Sequence, residues 1–204
     1  MTYLESQKPY KPKIDDVIGD LLDGEKLSRA LEFIAYLKNK KMSFRWANTN
    51  TWKVVCKGVT IFYIKAGIER DTGQGCYVKF LDINNPVKGS WLIVAPVQAA
   101  DDAPRLIPDR VADGFVCIAD NGDYEEILSN EVMVDMVLSK LRKCTNCGNK
   151  NKCAPGITVN LWGRELSNRC KFIGFPFVDP TQNEIECVKA LIKIYLKLKG
   201  ITQT

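Results

Sequence analysis

The chain contains no histidine in its 204 residues. That absence removes the side chain that most often moves protons near neutral pH, every Ser/His/Asp or Cys/His arrangement, and all zinc sites that use imidazole. An enzyme built on this sequence would draw its acids, bases and nucleophiles from Asp, Glu, Lys, Tyr or Cys. Also missing is any apolar run long enough to span a bilayer, and the opening stretch MTYLESQKPYKPK lacks the apolar centre of a signal peptide. No membrane partner is expected, and a cytoplasmic location follows as the default. The sequence shows no internal repeat and no low-complexity tract.

What the chain does have is cysteine, unevenly spread. Four of its eight cysteines fall in the stretch CTNCGNKNKCAPGITVNLWGRELSNRC, at Cys144, Cys147, Cys153 and Cys170. Two thiols separated by two residues turn their sulfurs toward one centre, because the backbone curls around it. A soft tetrahedral ion is then completed by two more thiolates brought in by a loop. In a reducing compartment, clustered cysteines favour metal or redox chemistry over a disulfide framework. A structural zinc ion is the leading expectation, since GNKNK has almost no capacity to form a core of its own. Asn149, Asn151 and the amides around Gly148 are placed to donate hydrogen bonds to the sulfurs. An iron–sulfur cluster uses the same ligands, but the spacing departs from the ferredoxin run. Free or partly engaged thiols are the remaining option, with Cys170 the least secure member, because a strand-like run, Ile157 to Trp162, separates it from its partners. Cys56, Cys76 and Cys117 lie in strand-like runs and Cys187 in the last helix, one position from its apolar stripe; all four read as small core residues.

The formal net charge is +5, and it is lopsided. From Lys140 onward there are 12 Lys and Arg against 4 Asp and Glu; the rest carries 17 against 20. Such asymmetry marks a face for nucleic acid or another acidic partner. The plainer reading is that Lys143, Lys150, Lys152, Arg164, Arg169 and Lys171 offset the net −2 charge of a divalent ion held by four thiolates. No aromatic-basic platform or helix-turn-helix pattern accompanies the charge, so the plainer reading is preferred.

Residues 1–13 read as a polar, Pro-containing arm laid over the surface, and 14–204 as a single α+β domain that includes the cysteine segment 144–170. Helical periodicity covers Ile14 to Leu22, Glu25 to Lys40, about Asn130 to Lys143, and a last helix opened by the capping-box pair Thr181 and Glu184. Alternation and turn residues place strands at Trp52 to Cys56, Val59 to Ala66, Cys76 to Ile83 and Trp91 to Val97. A short edge strand is expected at Phe115 to Ala119. Lys57-Gly58 is a hairpin turn. Short polar links imply an antiparallel sheet of about four to six strands with helices on one face and a cysteine-rich loop between the last two helices. Residues 98–114 form the longest irregular stretch and read as a flap, and FIGFPFVDP as a connection.

A second candidate site is polar and aromatic: Trp46, Trp52, Tyr63 and Lys65 from the hairpin, with Trp162, Arg164 and Glu165 from the cysteine segment. If that segment folds over the sheet, these would line a pocket for a small anion or planar ligand. Aromatic side chains simply covering a sheet face is the simpler account.

The order FIAYLKNKKMSFRWANTNTWKVVCKGVTIFYIK, CTNCGNKNKCAPG, GREL and Cys170 resembles small uncharacterised bacterial proteins. In these a two-cysteine knuckle, a CAPG segment, a G-[KR]-E-[FL] segment and a final cysteine follow one another. The hairpin half is distantly similar to small α+β domains of the YdhG type. The likeness spans most of residues 25–170 and implies that the cysteine segment is a unit. It supplies no catalytic residue and no counterpart for residues 98–114. The combined expectation is a non-enzymatic protein with a four-cysteine zinc site that binds a small molecule or a protein. Nucleic-acid binding through the basic C-terminal portion, and a redox or iron–sulfur role, are the alternatives.

Overall fold

A computed structural model describes residues 7–68, 89–95, 130–141, 143, 156–161, 164–169 and 175–201. Two helices open the fold, α1 (Ile14–Leu21) and α2 (Gly24–Asn39). In α1, Ile14, Ile18 and Leu21 recur at helical spacing and are buried, while Asp15 and Asp16 sit in the first turn, where the helix dipole favours negative charge. Asp15 also receives Lys38 Nζ of α2 at 2.7 Å, joining the two helices on their wet side. In α2 the buried stripe is Ala30, Phe33, Ile34 and Leu37.

The chain then switches period. β1 (Ser43–Asn48), β2 (Thr51–Cys56) and β3 (Val59–Ile68) form an antiparallel meander. Lys57 and Gly58 both have positive φ, 47° and 84°, the geometry that matches the twist of a two-residue hairpin. Gly67 also has positive φ, and a Cβ there would meet Leu21 Cδ2 at 2.9 Å, so only glycine lets α1 pack so close to this bulge. Later come β4 (Ser90–Ala95), α3 (Glu131–Ser139), β5 (Ile157–Leu161), β6 (Arg164–Arg169), β7 (Phe175–Val178) and α4 (Gln182–Leu198). The main sheet has the order β1-β2-β3-β4-β7, every neighbour antiparallel; β5 and β6 form a separate two-stranded hairpin. The α+β class, the five-stranded antiparallel sheet and the helices on one face agree with the sequence expectation.

Three local expectations change. FIGFPFVDP is not merely a connection: β7 lies within it, an edge strand that admits Pro176 because an edge has a side with no ladder to donate to. The third helix stops at Ser139 rather than Lys143. Between the last two helices β5 falls on the strand-like run that begins at Ile157, whereas β6 and β7 are additional strands. The strands expected at 76–83 and 115–119, and the irregular stretch 98–114, lie outside the described residues.

One face of the sheet and the four described helices enclose the core. Registered partners share a face, so Phe44, Trp46, Trp52, Val54, Phe62, Ile64, Trp91, Ile93, Phe175 and Phe177 point toward the helices. α4 crosses this face and is buried over most of its circumference, from Ile185 to Leu196. Its capping box is complete: Thr181 Oγ1 accepts from the Glu184 amide, and Glu184 accepts from the Thr181 amide. Cys56 and Cys187 are buried with free thiols, as core residues. Among the described residues no helix is long and apolar enough to cross a membrane.

Candidate metal centre and its surroundings

The four clustered cysteines, Cys144, Cys147, Cys153 and Cys170, lie outside the described residues, but the backbone that leads into them does not. Asn130 caps α3 by accepting from the Val132 amide at 2.9 Å. After the helix, Leu141 is buried and its carbonyl accepts from Arg169 Nη1 at 2.8 Å. Lys143 then bridges Arg169 in antiparallel fashion, while Arg169 pairs on its other side with Ile157.

Three distant points of the chain therefore meet at Arg169. Cys144 directly follows Lys143, Cys170 directly follows Arg169, and Cys147 and Cys153 are each four residues from a tethered position. Pairing thus draws together the described residues that flank the cysteine segment, Lys143, Ile157 and Arg169. The donor chemistry fits a thiophilic cation: four sulfurs, no competing imidazole, and cations at Lys143 and Arg169 to offset the excess negative charge. Arg169 Nε is buried and has no hydrogen-bond partner among the described residues. An orphaned donor one residue before Cys170 is what a thiolate acceptor would satisfy. Among the described residues alone, no group of three or more His, Cys, Asp or Glu is arranged for a metal.

The tether rests on the α3–α4 contact. Lys140 pairs with Glu184 and lies 5.7 Å from the centre of the Phe177 ring. Cys187 Sγ donates to Met136 Sδ at 3.6 Å. Burial, with the Glu184 charge beside it, pushes the Cys187 thiol up to about 11, so it stays protonated and poorly nucleophilic. Burial by itself raises the Glu184 carboxyl, but its bonds to Lys140 and to the Thr181 amide, with the Lys140 charge, outweigh this and hold it below the ordinary 4.5.

A carboxyl held down in the fold contributes stability that is present above the unfolded value and lost as pH falls through the folded one. Glu184→Gln is accordingly expected to cost about 1–2 kcal/mol at pH 7, through the weakened cap and pair. Its stability should also flatten below about pH 4.5, where the wild type keeps losing ground. Urea titrations of both proteins between pH 3 and 7 test this; parallel pH profiles would contradict it.

The aromatic candidates do not converge. Trp46 and Trp52 lie on the helix side of the sheet; Trp52 is 1% exposed, and its Nε1 donates to Pro12 O at 2.8 Å. Trp52 pairs with Ile64, so Tyr63 and Lys65 point to the opposite face. Arg164 pairs with Asp135 of α3 rather than with Glu165, which is exposed. Trp162 lies outside the described residues. The six described members therefore occupy different surfaces, and β-strand parity is the reason.

One polar group escaped sequence reading. Asp179, at φ +44°, accepts from the Trp91 amide at 3.0 Å, from Ser90 Oγ at 2.7 Å, and from Lys26 Nζ at 3.2 Å. Serine, lysine and aspartate together suggest nucleophilic chemistry. Yet Ser90 is 4% exposed and its hydroxyl proton is given to the carboxylate, so the group is a clasp joining α2, β4 and the end of β7. No signal in the sequence links positions 26, 90 and 179.

The chain matches no protein-family model, no curated protein and no solved structure.

Proposed function

We propose that this is a non-enzymatic protein whose cysteine segment is knotted by one structural zinc ion on Cys144, Cys147, Cys153 and Cys170, leaving the remaining surface to bind a ligand or partner. The observation that carries the reading is the meeting of Lys143, Arg169 and Ile157, which gathers the chain on either side of all four cysteines. The orphaned Arg169 Nε supports it. A metal supplies what this polar segment lacks, since structural zinc contributes roughly 10–16 kcal/mol of apparent binding energy in small peptides. The same ligands would hold an iron–sulfur cluster, and colour separates the two. The basic C-terminal portion is a weaker nucleic-acid candidate, because Lys140, Arg164 and Lys189 already pair with Glu184, Asp135 and Glu186.

Elemental analysis of protein purified without chelator tests the proposal. About one zinc per chain is expected, and Cys144→Ser and Cys170→Ser should each lose most of it together with thermal stability. Iron with absorbance around 400 nm would replace zinc by a cluster. Metal-free protein with four readily alkylated thiols would refute both.

A further inference from the structure

We infer that the outer edge of β1 takes up an acidic, extended segment of a partner protein as a sixth strand. This inference does not depend on the metal. β1 ends the main sheet, and among the described residues it pairs on one side only, with β2. Alternate residues of such a strand turn their N–H and C=O groups away from the sheet, in a row of free donors and acceptors. The strand runs from Ser43 to Asn48 without proline or glycine. None of its six residues is buried, whereas five of the six in β2 are. The opposite edge is a poorer template, because β7 has four residues and Pro176 lacks an N–H.

The charge along this edge selects the occupant. The chain from Phe33 to Ile68 contains seven Lys and Arg and no Asp or Glu. Lys38 is answered by Asp15. Lys40 and Lys41, at the turn that enters β1, and Arg45 within it are exposed, and their side chains join no ion pair among the described residues.

A second copy of β1 laid alongside would set these cations against one another, which disfavours self-pairing. A segment with Glu or Asp at alternate positions would meet them with opposite charge while its backbone extends the ladder. The same charges thus exclude one partner and admit the other. Single-stranded nucleic acid would answer the cations but leave the row of backbone groups unused.

Fluorescence anisotropy of a labelled peptide of about eight residues, alternating glutamate and valine, tests the assignment when titrated with the full chain. Saturable binding is expected at about 50 mM salt, and it should weaken several-fold at about 300 mM, because exposed charges are screened. Arg45→Glu should weaken it about tenfold, and Lys41→Glu with Arg45→Glu should remove it. Lys193→Glu, exposed on α4, should change it by less than about twofold. Methyl groups on alternate amide nitrogens block one edge of a strand, so the peptide methylated in one frame should lose binding and in the other frame keep it. Circular dichroism and melting of each variant establish that it is folded. No binding at about 50 mM salt would overturn the assignment. So would equal binding of the two methylated peptides, which would mean that charge alone is read, or equal loss in the α4 variant. Displacement by oligothymidylate at lower concentration than by unlabelled peptide would also overturn it and mark a nucleic-acid surface instead.

Discussion

Phe33→Ala is expected to lower the unfolding free energy by about 4 kcal/mol, the largest effect of any single side-chain truncation proposed for this protein. Phe33 is 1% exposed and sits where α2 meets the sheet. Its ring centre lies 5.9 Å from Phe62 of β3, 6.2 Å from Trp91 of β4 and 6.3 Å from Tyr36 one turn along the helix. Truncation removes the transfer energy of the ring, deletes three aromatic contacts and leaves a cavity whose walls belong to different elements and so cannot all collapse together. Phe33→Leu keeps most of the volume and should cost about 1.5 kcal/mol or less. Leu31→Ala, on the same helix but 44% exposed, should stay within about 0.5 kcal/mol. Urea unfolding checks the order, with an unchanged m-value expected throughout. If Leu31 cost as much as Phe33, the orientation of α2 described here would be wrong.

The elements legible from sequence are those whose signal is local. α1, α2 and α4 announce themselves by apolar spacing, and α4 also by Thr181 and Glu184 three residues apart, both of whose bonds form. The Lys57-Gly58 turn and the core placement of Cys56 and Cys187 belong to the same class. β7 was hidden because its ladder partner, β4, lies some eighty residues earlier and its four residues include a proline. β6, RELSNR, was hard to read because it has a single apolar residue, Leu166, half-buried against the core, and its other half-buried positions are arginines. The supposed pocket failed on parity: Trp52 opposes Ile64, one residue away from both Tyr63 and Lys65, and one residue is enough to change faces. The cysteine segment lay on the boundary of what local pattern can tell. Spacing nominates its ligands, but only the pairing of Arg169 with both Lys143 and Ile157 reveals that the chain around them is drawn together.

Gln7→Ala should cost about 3 kcal/mol, an unusual loss for a polar residue in a polar arm. Gln7 is 4% exposed, and both ends of its amide are engaged: Oε1 accepts from the Asn50 amide at 2.9 Å and from Trp46 Nε1 at 3.3 Å, while Nε2 donates to Asn50 Oδ1. Asn50 is itself 1% exposed, in the β1–β2 turn at φ +42°, and its carbonyl accepts from the Ala66 amide. Alanine at position 7 strands two buried Asn50 groups and unpairs the half-buried Trp46 indole, and each buried group left unpaired costs about 1–3 kcal/mol. Trp52 Nε1 would still hold Pro12 O, so the arm has a second anchor and the loss is less than complete undocking. Two measurements separate a global effect from a local one. Tyr10 is 64% exposed, lies between the anchors at Gln7 and Pro12, and is followed by Lys11 rather than proline, which makes chymotrypsin a reporter of arm release. Faster cleavage together with a lower urea midpoint is the expected outcome, because the network stiffens a turn that the core-facing strands share. Faster cleavage at an unchanged midpoint would show that the arm opens on its own and that the Asn50 turn is held by β2 and β3 without it.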